Sequence, residues 1–253
     1  MYDMAGWYEL AAKNGLTPIT AIADPHLTVN GDNVRVPKDT SFLGMVYAIS
    51  PSMVQCQLRS PALRKISDLD IDPKQGTPLG ELDLSRNVMQ LKDYPIALDG
   101  SEDIQYWVDN GNNIEANYCV INFMDKIDPV PAGPMRTIRT TSTQLLAIGA
   151  WTNCALVFPT VLPAGRYAVI GFKPESNGCI AARLFFNNQS ERPGAIGYAT
   201  ELQGVDTAMR FGNCGLLGEF EHDVPPTVDF LSNLADVAET VHLDVVQIRA
   251  GPA

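Results

Sequence analysis

Charge is scarce in this chain. Only 19% of its 253 residues are Asp, Glu, Lys or Arg, against roughly 25% in an ordinary soluble domain. The charges present lean acidic, for a formal net of −11. That balance disfavours direct binding to nucleic acid, whose affinity comes from clustered Lys and Arg on the phosphate backbone. Histidine is limited to His26, His222 and His242, too few and too scattered for a cupin metal centre, which needs an H-x-H pair with a Glu and a further His. The five cysteines, Cys56, Cys119, Cys154, Cys179 and Cys214, are odd in number, widely spaced and without a C-x-x-C pair. This predicts buried thiols in a reducing compartment and disfavours a metal knuckle. There is no G-x-S-x-G, no P-loop and no G-x-G-x-x-G, and Ser142 and Ser190 have no His close in sequence. No stretch reaches the ~18 to 20 apolar residues of a membrane-spanning helix. Met1 to Leu16 lacks a basic start followed by an apolar run, which predicts synthesis in the cytosol without a secretory leader.

What is abundant is turn chemistry. Glycine and proline number 20 and 18, and 45% of the residues are hydrophobic, enough for one large β domain or two modest ones. Met1, Met4, Tyr8 and Ala11 or Ala12 recur at helical spacing before Gly15, which predicts an N-terminal helix over residues 1–15. Beyond it, β-branched and aromatic runs between Pro, Gly, Asn and Asp predict strands. These are Ile19–Ile22, Leu27–Val29, Val34–Val36, Phe42–Ile49, Met53–Arg59, Ile104–Val108 and Asn117–Phe123, then Thr137–Thr141, Gln144–Ile148, Ala155–Phe158, Tyr167–Phe172, Cys179–Phe186 and Thr240–Arg249. A second helix over Val228–Ala238 is the remaining helical candidate. Asp125 to Pro134 holds three prolines and a glycine in ten residues and cannot continue a central strand. It predicts a linker at 128–134 between domains at 16–127 and 135–253.

The halves resemble each other. Val36-Pro37 precedes the strand Phe42–Ile49, the turn Ser50-Pro51-Ser52 and a strand with Cys56 and Arg59. Leu162-Pro163 precedes Tyr167–Phe172, the turn Lys173–Gly178 and a strand with Cys179 and Arg183. The cysteine follows the turn proline by five residues each time, and each half closes on a long apolar strand. Such a repeat predicts duplication. Halves of this size with long loops at Pro61–Leu91 and Phe186–Phe211 fit a jelly roll, and fit an immunoglobulin-like sandwich less well.

An acidic chain with two tandem jelly-roll-like halves, a proline-rich connector and an N-terminal helix resembles the double jelly-roll major capsid proteins of tailless icosahedral viruses, including lipid-containing phages. The resemblance spans nearly the whole chain and rests on architecture, with no short motif. It implies an all-β fold of two upright barrels and homotrimers of pseudo-hexagonal outline contacting neighbouring trimers. It further implies minor capsid proteins or an internal membrane as partners, and a virion assembled in the host cytoplasm.

Four candidate sites remain. Asp68, Asp70 and Asp72 begin like an EF-hand loop, but Pro73 stands where the loop needs Gly and Leu79 where it needs its bidentate Glu; they are kept as weak metal candidates, with no cofactor expected. His222 lies between Glu221 and Asp223, and Asp99 with Ser101-Glu-Asp103 forms a short acidic run; both are read as solvated loops. Tyr106, Trp107 or Trp151 as stacking platforms would suit a carbohydrate-binding or lectin-like sandwich, the alternative to a capsid subunit. Tyr106 and Trp107 fall on opposite faces of one strand, so at least one points inward. An enzyme is not expected.

Overall fold

The structure, a computed structural model, describes residues 2–40, 42–65, 69–71, 89–91, 94–176, 178–187, 194–195, 209–235, 237 and 239–251. Apart from one 3-10 turn at Leu63–Lys65, the regular elements among these residues are all β-strands. The chain divides into two compact units, Asp3–Asp125 with Gly149–Trp151, and Lys126–Ile148 with Thr152–Ala253 and Met1–Tyr2. They are called the N-terminal and C-terminal units here.

The N-terminal unit contains β1 (Tyr2–Ala11), β2 (Thr17–Pro18), β3 (Val29–Asn30), β4 (Asn33–Arg35), β5 (Phe42–Ile49), β6 (Gln55–Arg59), β7 (Leu69–Ile71), β8 (Met89–Gln90), β9 (Ile96–Ala97), β10 (Asp103–Asp109) and β11 (Glu115–Met124). One sheet runs β1-β11-β5-β8, with β9 also on β5; the other runs β3-β4-β10-β6-β7, with β2 also on β10. A single core cluster joins the two sheets: Ala5, Trp7, Leu43, Val46, Ile121 and Phe123 from the first meet Val34, Cys56, Leu58, Ile104, Tyr106 and Val108 from the second. Each large side chain buried there contributes about 1.5 to 3 kcal/mol.

The C-terminal unit contains β12 (Met135–Ser142), β13 (Trp151–Ala155), β14 (Gly165–Glu175), β15 (Cys179–Phe185), β16 (Gly194–Ala195), β17 (Gly218–Glu221), β18 (Thr227–Ser232) and β19 (Glu239–Ala250). Its sheets run β12-β19-β14-β17 and β13-β18-β15-β16. Lettered B to I, they read B-I-D-G and C-H-E-F, an order consistent with a jelly-roll sandwich. The N-terminal unit follows the same order, with β1, β5, β6, β10 and β11 standing as B, D, E, H and I. In both units the D–I pair carries a bulge whose extra residue lies on D, at Gly44 in β5 and at Ile170 in β14.

The register also accounts for a one-residue mismatch in the sequence repeat. Cys56 and Arg59 oppose Val108 and Gln105, while Cys179 and Arg183 oppose Ser232 and Asp229. The partners are three residues apart both times. The additional residue between Cys179 and Arg183 is absorbed by an irregularity between Cys179 and Ala181.

Two expectations are overturned. The helix expected over residues 1–15 is absent from the described residues 2–15; the strand β1 covers Tyr2–Ala11 instead. Both faces of β1 are buried, with Met4 at 0% on one and Ala5 and Trp7 at 2% and 0% on the other. A separation of four, as between Met4 and Tyr8, is even, so it satisfies a period of two as well as a helical turn. The second is Val228–Ala238, where Thr227–Ser232 is a strand with Val228, Phe230 and Leu231 all at 0% exposure. A strand buried on both sides reads as an apolar run without alternation. Smaller differences are Gln144–Ile148, which contributes only a bridge from Ile148 to Ser232, and Ala155–Phe158, whose strand lies earlier, at Trp151–Ala155.

Candidate functional site

Strand β10 alternates without fault. Ile104, Tyr106 and Val108 are fully buried, while Asp103, Gln105, Trp107 and Asp109 point to the opposite, partly exposed face. Strand β6 repeats the pattern beside it, with Cys56 and Leu58 inward and Gln55, Gln57 and Arg59 outward. In register, Gln105 opposes Arg59, Trp107 opposes Gln57, and Asp109 opposes Gln55. On the other flank of β10, Asn33 opposes Gln105 and Arg35 opposes Asp103.

These outward residues hold one another in place. The Arg59 guanidinium carbon lies 4.0 Å from the centroid of the Trp107 ring, a cation–π arrangement. Arg59 Nε and Nη2 donate to Gln57 Oε1 at 3.1 and 2.7 Å. Trp107 Nε1 donates to Gln105 Oε1 at 3.0 Å, and Gln105 Nε2 donates to Asp32 Oδ2 at 3.0 Å. Arg35 Nε pairs with Asp103 Oδ1 at 2.6 Å. The result is a flat array of indole, guanidinium, amide and carboxylate groups, built on strands rather than loops. Tyr106 is excluded from it: the ring lies in the core, with its hydroxyl 3.5 Å from Met53 Sδ. Trp151 is partly exposed at the start of β13.

At the corresponding position of the C-terminal unit the arginine is buried. Arg183, at the register position of Arg59, has 0% exposure and donates from Nε and Nη2 to Asp229 Oδ2, both at 3.1 Å. Asn153 Nδ2 donates to Asp229 Oδ1 at 2.8 Å. On the other sheet of this unit Asp244, fully buried, receives Arg210 Nε at 2.6 Å and Nη2 at 2.8 Å, Thr137 Oγ1 at 2.6 Å and the Phe211 N–H at 3.0 Å. Burial alone would raise the Asp244 carboxyl. The bonds from Arg210, Thr137 and Phe211, with the Arg210 charge, outweigh it and hold the group below its ordinary value. Sequence gives no sign of this cluster, because Thr137, Arg210 and Asp244 are far apart along the chain.

The remaining sequence candidates do not converge. Asp68 and Asp72 lie outside the described residues, and Asp70 is the register partner of Gln57 on β7. Among the described residues no three His, Cys, Asp or Glu side chains form a set able to hold a metal ion. His222 Nδ1 accepts from the Gly165 N–H at 3.4 Å and lies 3.8 Å from Asp223. Ser142, buried, accepts the Gln144 N–H, and Ser190 lies outside the described residues. The acidic run is not a solvated turn throughout: Glu102, 9% exposed, accepts the N–H groups of Asp99 and Ala62, each at 2.8 Å.

Taken together, the geometry of the described residues defines two two-sheet β units, the N-terminal one with a partly exposed polar face on β6 and β10. No family model matches the chain, and no curated protein matches it. Among solved structures it is similar to the major capsid protein P2 from bacteriophage PM2, at 11% identity and a TM-score of 0.27 over 98% of each chain. It is similar also to the STIV MCP, at 11% identity and a TM-score of 0.26 over 97% of each chain. TM-scores of this size do not establish a shared fold.

Proposed function

We propose that this chain is a structural shell subunit, a double jelly-roll capsid protein that assembles as a homotrimer. The observation that carries the reading is the repetition of one strand order, B-I-D-G facing C-H-E-F, in both units, with a cysteine and an arginine at equivalent register positions on strand E. Duplication has a geometric use in a lattice: three subunits of two similar barrels present six similar barrels around a threefold axis, and closed cyclic symmetry buries complementary patches without leaving one open.

Exposed aliphatic residues support a surface that other copies cover. In the N-terminal unit Leu10, Val54 and Ile114 are 62, 68 and 80% exposed and stand at one end of the sandwich. The turn beneath them is tied by Asn110, whose side chain accepts the Lys13 N–H at 2.8 Å and donates to Ala11 O at 2.9 Å. In the C-terminal unit Leu145 and Ile148 between β12 and β13, and Leu234 between β18 and β19, are also exposed. With few charges to keep such surfaces in water, burial between subunits is the expected outcome. Negative-stain microscopy of particles from the native source tests the reading. Icosahedral particles containing this chain support it, and a source in which the chain occurs solely as isolated monomers contradicts it.

A further inference from the structure

We infer that the outward face of β10 and β6 is a binding site for a neutral oligosaccharide. The inference stands apart from the shell reading, since a capsid subunit and an isolated sandwich could both carry such a face. Three observations lead to it.

First, the face departs from what packing needs. An outward Trp107 contributes little to the core beneath it, which Tyr106 already fills, yet the indole is held from two sides by Arg59 and Gln105. Large, rigid, amphipathic rings are effective contact groups because they bring area at small cost in conformational entropy. Second, the polar neighbours are two amides and a carboxylate fixed by hydrogen bonds, Gln57 accepting from Arg59 and Gln105 donating to Asp32. Planar groups of this kind meet the paired hydroxyls of a pyranose ring with both donors and acceptors, while the apolar face of the ring packs on the guanidinium that covers the indole. Third, the charge excludes the other polar polymers. Arg35 and Arg59 stand against Asp32, Asp103 and Asp109, and Arg35 is already paired to Asp103. The face is thus mildly acidic on a chain of net charge −11, which repels nucleic acid, phosphorylated peptides and uronic-acid polymers.

The duplication sharpens the point. The position of Arg59 and Gln105 in the N-terminal unit is that of Arg183 and Asp229 in the C-terminal unit. There the pair is buried, at 0 and 5% exposure. In one copy of the repeat this position holds a buried ion pair, and in the other a partly exposed arginine beside a tryptophan.

The test is a titration of tryptophan emission in the full chain with maltohexaose, cellohexaose, laminarihexaose and chitohexaose. Trp7 is fully buried, so a response reports on the partly exposed indoles. At least one of the four is expected to saturate below about 10 mM, with an affinity unchanged between about 50 and 500 mM salt, as suits an uncharged ligand. Gln105→Leu is expected to weaken it about tenfold or more by the same emission, and Trp107→Ala, which removes the reporting indole, to do so by calorimetric titration, while Val161→Ala, on an exposed loop residue, leaves it unchanged. No response to any of the four, a response that survives both variants, or stronger binding to polygalacturonate than to the neutral sugars overturns the inference. So does a Trp107→Ala chain that stays folded but loses its self-association while the wild type ignores sugars, which assigns the face to a second copy. The shell reading is judged separately, by the particles.

Discussion

Gly171 and Asp244 face each other across β14 and β19, and the glycine makes the buried carboxylate admissible. A β-carbon at Gly171 would lie 2.1 Å from Asp244 Oδ2, inside any real contact. Without that opening the carboxylate could not reach Arg210, Thr137 and the Phe211 N–H together.

Asp244→Ala is therefore expected to cost about 3 to 5 kcal/mol, because it leaves Arg210 buried without its partner. Gly171→Ala is expected to destabilise the same unit by displacing the carboxylate. Urea unfolding of the variants checks both: a midpoint within error of wild type in either case contradicts the arrangement.

The pH dependence has a definite sign. The Asp244 carboxyl is held below its ordinary value when folded, so its contribution is complete above about 4, the unfolded value, and is lost as pH falls through the folded value. Burial lowers the His242 ring, with Lys173, Arg210 and Arg139 adding to the effect and Glu175 opposing it. A lowered base costs stability as pH drops below about 6.5, where the unfolded chain takes up the proton first. Melting temperature should fall on acidification in two ranges, and Asp244→Asn should remove the lower one.

The first strand offers a separate check. Trp7 is fully buried and its Nε1 donates to Asp32 O at 3.0 Å. Trp7→Ala should cost about 3 to 5 kcal/mol, and deletion of residues 2–11 should unfold the N-terminal unit. A truncated chain with unchanged amide exchange protection in β11 would show that β1 is dispensable.

Much of the fold is legible in the sequence where turn residues bound a strand or one of its faces meets water. Phe42–Ile49, buried on both faces, is read to the residue because turn chemistry bounds it at both ends, and β10 is read one residue short at each end, as Ile104–Val108, because its alternation is strict. The repeat is visible through Pro51, Cys56, Pro174 and Cys179. Legibility fails in β1 and β18, two of the strands buried on both faces, since period and hydrophobicity then separate. At the candidate site, opposite facing of Tyr106 and Trp107 follows from a period of two. The stacking of Arg59 on Trp107 requires knowing that β6 pairs with β10, a long-range contact that local pattern does not encode.

The cysteines follow the composition. None of the five forms a disulfide and all are buried, and burial, with the Cys56 thiol beside it, raises the Cys119 thiol well above its ordinary value, so thiolate is scarce. Ellman's reagent should find no fast-reacting thiol in the native protein and five after denaturation. One or more reacting at once in the native state would contradict the buried placement.

The central claim is that two duplicated sandwiches serve as one subunit of a closed, repeating shell, and light scattering on the soluble protein at micromolar concentration tests it most directly. The account predicts a species of three times the chain mass. A monodisperse species of one chain mass that persists as concentration rises would contradict it.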